Sequence, residues 1–510
     1  MDNNFNDTNQ SYEYENTAVP TSNPVAPKKK VPYGLIFGIG GGLLALILVV
    51  TGIFVIKFLS SPKVVVARAL TKTVKSATNP VSEHLGLSEL KENTYKEPCS
   101  LSLSLSVDKD KEEDSLYDLE GAGFSIDAAT DCENKEASAD IALQWGGSDV
   151  LDCQYYAFDD TIGFACSELF DGYISVNAKT FGEDYCNSIF YDPDYSTFDE
   201  NDSIELFPDE RLNFSVESYK ELFPEDYASL IKNITVTKNE TAAKSDSDEY
   251  DKNNTYYDVT IPRKDTKNLI DNISECYKTQ GNTSAVDSLE ELKGMLQEDL
   301  IILVAIDNTG RICDLYNTCN LAGTEDDLKV VTGISLNGDE DIFSSCEINM
   351  GFLGDSGFED GLCIKREAKE KGSTYTDEIN ISYLMDMETP FLDATYSSSY
   401  DFDEDAMDFS FEYKDMDENP IFLDGTVEFT NIEKGKSLSA DFTDLTFQDD
   451  AEYIDLSLSG NFDISSENVK VKSPSGKALK VLDYDEDELN SLSDEVYENL
   501  LNSSLMEAFY

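Results

Sequence analysis

Four short segments of the chain alternate between apolar and polar residues, which is the pattern of a β-strand with one buried and one solvated face. The apolar positions are Leu101, Leu103, Leu105 and Val107; Ile379, Ile381 and Tyr383; Phe409, Phe411 and Tyr413; and Ile454, Leu456 and Leu458. Turn signals lie between such segments at 308–310, 337–338 and 424–425. We therefore expect an antiparallel meander of strands from about residue 300 to residue 465.

Helical spacing appears before and within the strand region. Val66, Leu70 and Val74 recur at every fourth residue, which predicts an amphipathic helix packed on the strands that follow. Three further helices are indicated by the segments that begin at Ser215, Arg263 and Ala285, and another is expected near the C-terminus. The pattern favours an α+β fold in which a large curved antiparallel sheet is packed with several helices.

One uncharged run, Val31 to Ile56, is long enough to cross a bilayer, since about 20 apolar residues suffice. The fold class therefore includes a single N-terminal transmembrane helix. Gly34, Gly38 and Gly42 form a stripe of small residues along it, which would allow two such helices to approach closely in the membrane. The run is also longer than the hydrophobic region of a cleaved secretory signal.

These patterns divide the chain into five parts. We expect a disordered cytoplasmic tail over residues 1–30 and a transmembrane helix over 31–58. An α+β region resembling a half-barrel follows over 62–300, then the antiparallel meander over 301–470 and a C-terminal helix over 481–510.

Charge and cysteine content restrict the location and the partners of the body. The formal net charge of −64, with 102 acidic and 38 basic residues, argues against nucleic acid, whose phosphates need Lys and Arg contacts. Basic residues flank the apolar run on both sides and leave its orientation open. All ten cysteines follow the run, and this favours a body outside the cell, where the compartment is oxidising and disulfides persist. We therefore expect a single-pass protein of the cell membrane with an extracellular body and leave its oligomeric state open.

Catalytic chemistry is poorly represented in the sequence. His84 is the only histidine, which excludes a site with several histidine ligands, and no nucleophile motif stands out. We expect no cofactor, no metal and no catalytic residue. An acid pair of the kind used by glycosidases needs a measured separation, and the sequence alone does not select two carboxylates from so many.

A disulfide is the most specific covalent feature that the sequence predicts. If Asp159 and Asp160 form a two-residue hairpin turn, Cys153 and Cys166 face each other across adjacent strands. Their Cβ atoms would then lie ~4.5–5.5 Å apart, which a bridge tolerates with local adjustment. The alternative is a pair of buried free thiols that pack together.

The order of these elements resembles a group of membrane-anchored surface proteins of Gram-positive Firmicutes with a domain of unknown function. The resemblance rests on "SPKVVVARALTKTV", "DCQYYAFDDTIGFACSELFDGYISVNA" and "YYDVTIPRKDTKNLI". That group in turn resembles the half-barrels of lipoprotein carriers, in which a curved sheet holds a lipid tail under its helices. The single histidine and the absence of a nucleophile motif favour a non-enzymatic surface module that binds an apolar or cell-surface ligand. A wall-acting hydrolase with paired carboxylates is the alternative.

Overall fold

The computed structural model describes residues 62–506, with gaps chiefly at 112–118, 208–218, 243–250, 322–327, 339–343 and 415–419. Twenty strands form one sheet. The strands are β1 (Cys99–Asp110), β2 (Gly123–Asp131), β3 (Glu136–Trp145), β4 (Ser148–Phe158), β5 (Thr161–Cys166), β6 (Tyr173–Asn177), β7 (Thr235–Lys238), β8 (Thr255–Ile261), β9 (Leu300–Ile306), β10 (Ile312–Leu321), β11 (Leu328–Asn337), β12 (Ser345–Gly354), β13 (Gly357–Lys371), β14 (Thr374–Met385), β15 (Thr389–Asp401), β16 (Ala406–Lys414), β17 (Pro420–Glu433), β18 (Ser437–Asp449), β19 (Ile454–Ser465) and β20 (Ala478–Leu479).

Pairing between distant strands joins the two halves of the chain into this sheet. Strands β7 to β19 follow one another as an antiparallel meander, and so do β1 to β6. The two meanders meet where β1 pairs with β19, for example at Leu103 opposite Phe462. Strand β20 adds the parallel edge beside β6. The sheet order is therefore β7 through β19, then β1 through β6, then β20.

The helices of the described residues pack on limited parts of this sheet. They are α1 (Pro62–Ser76), α2 (Pro80–Leu85), α3 (Leu87–Asn93), α4 (Phe181–Cys186), α5 (Pro224–Asn233), α6 (Arg263–Thr279), α7 (Thr283–Met295) and α8 (Glu486–Leu501). Helices α1, α5, α6 and α7 share the largest hydrophobic core with the strands from β7 to β14. Helix α8 packs on β4 to β6. Helices α2 and α3 cover one end of the strands β15 to β19.

Helix α1 is fastened to the sheet by apolar packing and by a buried hydroxyl. Val66 and Leu70 are buried in the largest core, as the four-residue spacing predicts. Thr73 Oγ1 accepts a hydrogen bond from the backbone N–H of Ile312 at 2.7 Å and donates one to the carbonyl of Ala69 at 2.8 Å. This hydroxyl therefore provides a partner for a strand amide that the helix shields from water.

Most of the predicted local elements are confirmed. The four alternating segments lie in β1, β14, β16 and β19, and the helices expected after Arg263 and Ala285 and at the C-terminus are α6, α7 and α8. The predicted turn at Asp424–Gly425 is wrong, because both residues lie inside β17. Gly425 is needed there for close packing, since a Cβ at this position would collide with the side chain of Leu445 on β18.

The predicted fold class, α+β headed by a single transmembrane helix, is wrong. The described structure is mostly one large β-sheet with eight short α-helices. Among these residues no helix is long and apolar enough to cross a membrane. The longest, α6, has 17 residues and carries charged side chains in every turn, so that only one of its faces is apolar.

Several predictions concern parts of the chain that the structure does not describe. The tail over 1–30, the apolar run over 31–58 and its Gly34, Gly38 and Gly42 all lie outside the described residues.

Candidate ligand-binding face

The centre of the sheet carries a row of large apolar side chains on one side. Strand pairing places six residues next to one another across β14 to β19: Ile379, Tyr396, Phe411, Leu423, Phe447 and Leu456. Because directly opposed residues lie on the same side of a sheet, these six side chains form one continuous surface. Leu456 is buried, and the other five are only half-buried.

A second row extends the same side of the sheet through β19 to β5. It comprises Phe462, Leu103, Ile126, Ile141, Cys153 and Cys166. Phe462 follows Leu456 at even spacing along β19, so both rows face the same way. We call this surface, from Ile379 on β14 to Ile141 on β3, the apolar face.

On this side helices cover both ends of the sheet, and α2 and α3 cover one end of the strands β15 to β19. Leu445, Leu456 and Leu458 of the same side are buried in a cluster of their own. The half-buried residues from Ile379 to Phe447 are the part of the row that keeps accessible surface. Tyr383, on the same side of β14, belongs to the core beneath α1 and α5 to α7 and is 2% exposed. At the other end, Cys153 and Cys166 pack with Leu492 and Val496 of α8. Between these ends Leu143 keeps 40% of its surface exposed. Exposed apolar surface of this kind is a candidate for an interaction site.

A charged pair interrupts the apolar face at one border. The guanidinium of Arg366 on β13 binds Asp377 on β14 twice, from Nε at 2.8 Å and from Nη2 at 2.6 Å, and Nη2 also donates to Tyr375 Oη at 2.7 Å. Arg366 lies directly opposite Ile379. Hydrogen bonding to Asp377 raises the pKa of Arg366, and burial raises the pKa of Tyr375. Both groups therefore keep their protons at neutral pH.

His84 lies at another border of the apolar face. The residues around His84 have the composition of a loop, but His84 belongs to helix α2, which Asn79 caps through its side chain. His84 Nε2 lies 2.7 Å from Asp405 Oδ1, and Tyr400 Oη donates to the same oxygen at 3.1 Å. Burial, followed by this hydrogen bond, raises the pKa of Tyr400. The histidine thus fastens α2 to the turn between β15 and β16, a structural role.

The opposite side of the sheet is polar and carries an open depression of about 380 Å³ over β13 to β16. Glu367 and Glu378 stand directly opposite each other at its border, and Ser397 and Ser410 continue the row. Both glutamates are exposed. This opposed pair is one place where a reaction with two carboxylates could be sought, although a glycosidase acid normally lies in a sheltered pocket.

The structure places the two predicted disulfide cysteines directly opposite each other. Strand β4 ends at Phe158 and β5 begins at Thr161, so the turn falls at Asp159–Asp160 and Cys153 pairs with Cys166. Both are free thiols in this structure. Burial, with a contribution from the Cys153 thiol, raises the pKa of Cys166 to about 12. A thiol with this pKa is a poor nucleophile at neutral pH, because only the thiolate attacks.

We expect the bridge between Cys153 and Cys166 to form before α8 covers the pair, if the chain folds in an oxidising compartment. Non-reducing peptide mapping of the native protein should then recover the two cysteines in one linked peptide pair. Complete alkylation of both thiols in denaturant without reductant would instead show two buried free cysteines. Asp159→Gly, which relieves the positive φ of 47° at the turn, is a control that leaves both thiols in place.

Comparison with known proteins adds no family. No family model matches the chain, and no curated protein matches it. Among solved structures, a double mutant of transferrin-binding protein B from Haemophilus parasuis Hp5 is 8% identical, with 72% of this chain and 75% of that chain covered and a TM-score of 0.12. Intact Ap-TbpB is 9% identical, with 72% and 76% covered and a TM-score of 0.12. Scores this low define neither a shared fold nor a function.

Proposed function

We propose that the protein is a non-enzymatic binding module whose apolar face binds a ligand with hydrocarbon chains. The observation that carries this proposal is the half-buried row from Ile379 to Phe447, which lies between two helix-covered parts of the same sheet. A soluble sheet with one solvated side normally buries its other side. Here the row from Ile379 to Phe447 stays half-exposed, and covering it with an apolar ligand removes hydrocarbon surface from water.

The expected affinity follows from the area that such a ligand covers. Burying a methylene contributes about 0.8 kcal/mol, and a chain lying on an open face buries roughly half of its surface. A palmitoyl chain would therefore gain about 6 kcal/mol, which corresponds to a dissociation constant of tens of micromolar before ordering costs. Because the face extends over many strands, several chains can bind side by side, and a ligand with two chains should bind more tightly.

Binding of a fluorescent hydrocarbon probe to purified protein tests this proposal. Phe411→Glu places a carboxylate between Tyr396 and Leu423 in the middle of the apolar face, and we expect probe affinity to fall at least about tenfold. Phe422→Glu is the matched control. Phe422 is half-buried on the next strand but faces the polar side, opposite Glu412.

An equal loss of probe affinity in the two variants would mean that a destabilised sheet, and not the loss of a binding site on the apolar face, lowers the affinity. Unchanged affinity in Phe411→Glu would contradict the proposal. Circular dichroism of both variants checks that the sheet is intact.

The hydrolase remains a second candidate because Glu367 and Glu378 are directly opposed in the depression of the polar side. Turnover of a wall polysaccharide that Glu378→Gln abolishes would establish it. The proposed binding module predicts no such turnover.

A further inference from the structure

Arg366, in the charged pair with Asp377 at the border of the apolar face, has hydrogen-bond donors that this pair does not use. Arg366 uses Nε and Nη2 for Asp377 and Tyr375, and among the described residues no acceptor bonds its Nη1. The side chain of Arg366 is 28% exposed, whereas Asp377 is 8% exposed. The two N–H groups of Nη1 are therefore the donors of this partly exposed side chain that remain for a ligand, while the carboxylate of Asp377 is largely covered.

We infer that Arg366 holds the polar head of an uncharged or zwitterionic amphiphile whose hydrocarbon chain lies along the apolar face. This inference rests on the proposed function and specifies the ligand class. Arg366 lies directly opposite Ile379, the first member of the apolar row, so a head bound at Nη1 places the adjoining chain on that row. An ester carbonyl or hydroxyl oxygen of the head would accept hydrogen bonds from the two N–H groups of Arg366 Nη1.

The charges around Arg366 favour a head without net negative charge. Asp377 already neutralises the guanidinium, and Glu370 lies on the same side of β13. The chain as a whole has a formal net charge of −64, which repels an anionic ligand. A monoacylglycerol should therefore bind better than the fatty acid anion with the same chain.

Competition against the fluorescent hydrocarbon probe tests this selectivity on the full chain. We expect monopalmitoylglycerol to displace the probe about tenfold more effectively than palmitate. Both heads can accept a hydrogen bond from Nη1, but Asp377, Glu370 and the net negative charge of the chain repel only the carboxylate of palmitate. In Arg366→Met combined with Asp377→Leu, which replaces the pair with apolar groups of similar size, the preference should fall to about twofold.

The control variant combines Lys111→Met with Asp455→Leu. It removes a lysine–aspartate pair, with Lys111 Nζ 3.0 Å from Asp455 Oδ1. Lys111 directly follows β1 and Asp455 lies on β19, away from Arg366. Its preference should stay near the wild-type value. If the double variant at Arg366 fails to fold, Arg366→Lys replaces it, because lysine keeps the charge but cannot hold Asp377 and a head group in one planar fork.

The outcomes separate the two claims. Equal displacement by monopalmitoylglycerol and palmitate in the wild type, or an unchanged preference in both Arg366 variants, overturns the role of Arg366 and leaves the apolar face as a binding site. Failure of the wild type to bind the hydrocarbon probe at all overturns the proposed function, and the inference with it.

Discussion

Leu70→Ala is expected to lower the free energy of unfolding by about 2–5 kcal/mol, the largest effect that we predict for a single side chain. Leu70 is 6% exposed and belongs to the core that α1 shares with the sheet. The shortened side chain would leave a cavity beneath a helix that Thr73 and Lys72 also tie to the residues around β10, so the helix cannot settle freely to fill it. Chemical denaturation measures the change.

Val65→Ala provides the matched control on the same helix. Val65 is 44% exposed, so its substitution should change stability by less than about 0.5 kcal/mol. Similar small effects of the two variants would show that α1 does not contribute its predicted face to the core.

Gly460→Ala should destabilise the sheet by about 2–3 kcal/mol, because it introduces an atom where two strands approach closely. Gly460 lies on β19 opposite Leu105 of β1 and Phe442 of β18. A Cβ there would collide with the carbonyl oxygen of Ser104, so β1 would have to move away from β19. This pairing joins the two meanders, and thermal unfolding should therefore begin at a markedly lower temperature.

Gly333→Ala is the control for this effect. Gly333 lies within β11, and a Cβ at this position would meet only the ring of Tyr316 at 3.7 Å, an ordinary contact. We expect a neutral or slightly stabilising change, because alanine loses less backbone entropy than glycine on folding. A Gly460→Ala protein as stable as Gly333→Ala would contradict the observed approach of β1 to β19.

Local patterns predicted individual strands well because a pleated strand exposes its alternation directly in the sequence. "LSLSLSV" in β1 and the segment around Phe411 in β16 were both identified in this way. The pairing of β1 with β19 could not be predicted, since it joins residues 346 to 365 positions apart and no local signal specifies such a contact. For the same reason the sequence did not reveal that these two strands contribute to one apolar face.

The candidate site was only partly accessible to sequence reasoning. The register of Cys153 with Cys166 followed from a short hairpin and is confirmed, whereas the disulfide itself stays a prediction. Arg366 was missed because a charged residue at an alternating position suggests a solvated face. Its partners, Tyr375 and Asp377, could be recognised only after β13 and β14 were paired. The composition around His84 favours a loop, although Asn79 provides a helix-capping signal five residues earlier.

Identification of material that co-purifies with the full chain tests the binding of hydrocarbon chains most directly. Native mass spectrometry followed by solvent extraction should detect an amphiphile on the wild-type protein and on Phe422→Glu, and much less of it on Phe411→Glu. Wild-type protein without bound amphiphile that also fails to take one up from a monopalmitoylglycerol dispersion would contradict a ligand-binding role for the apolar face.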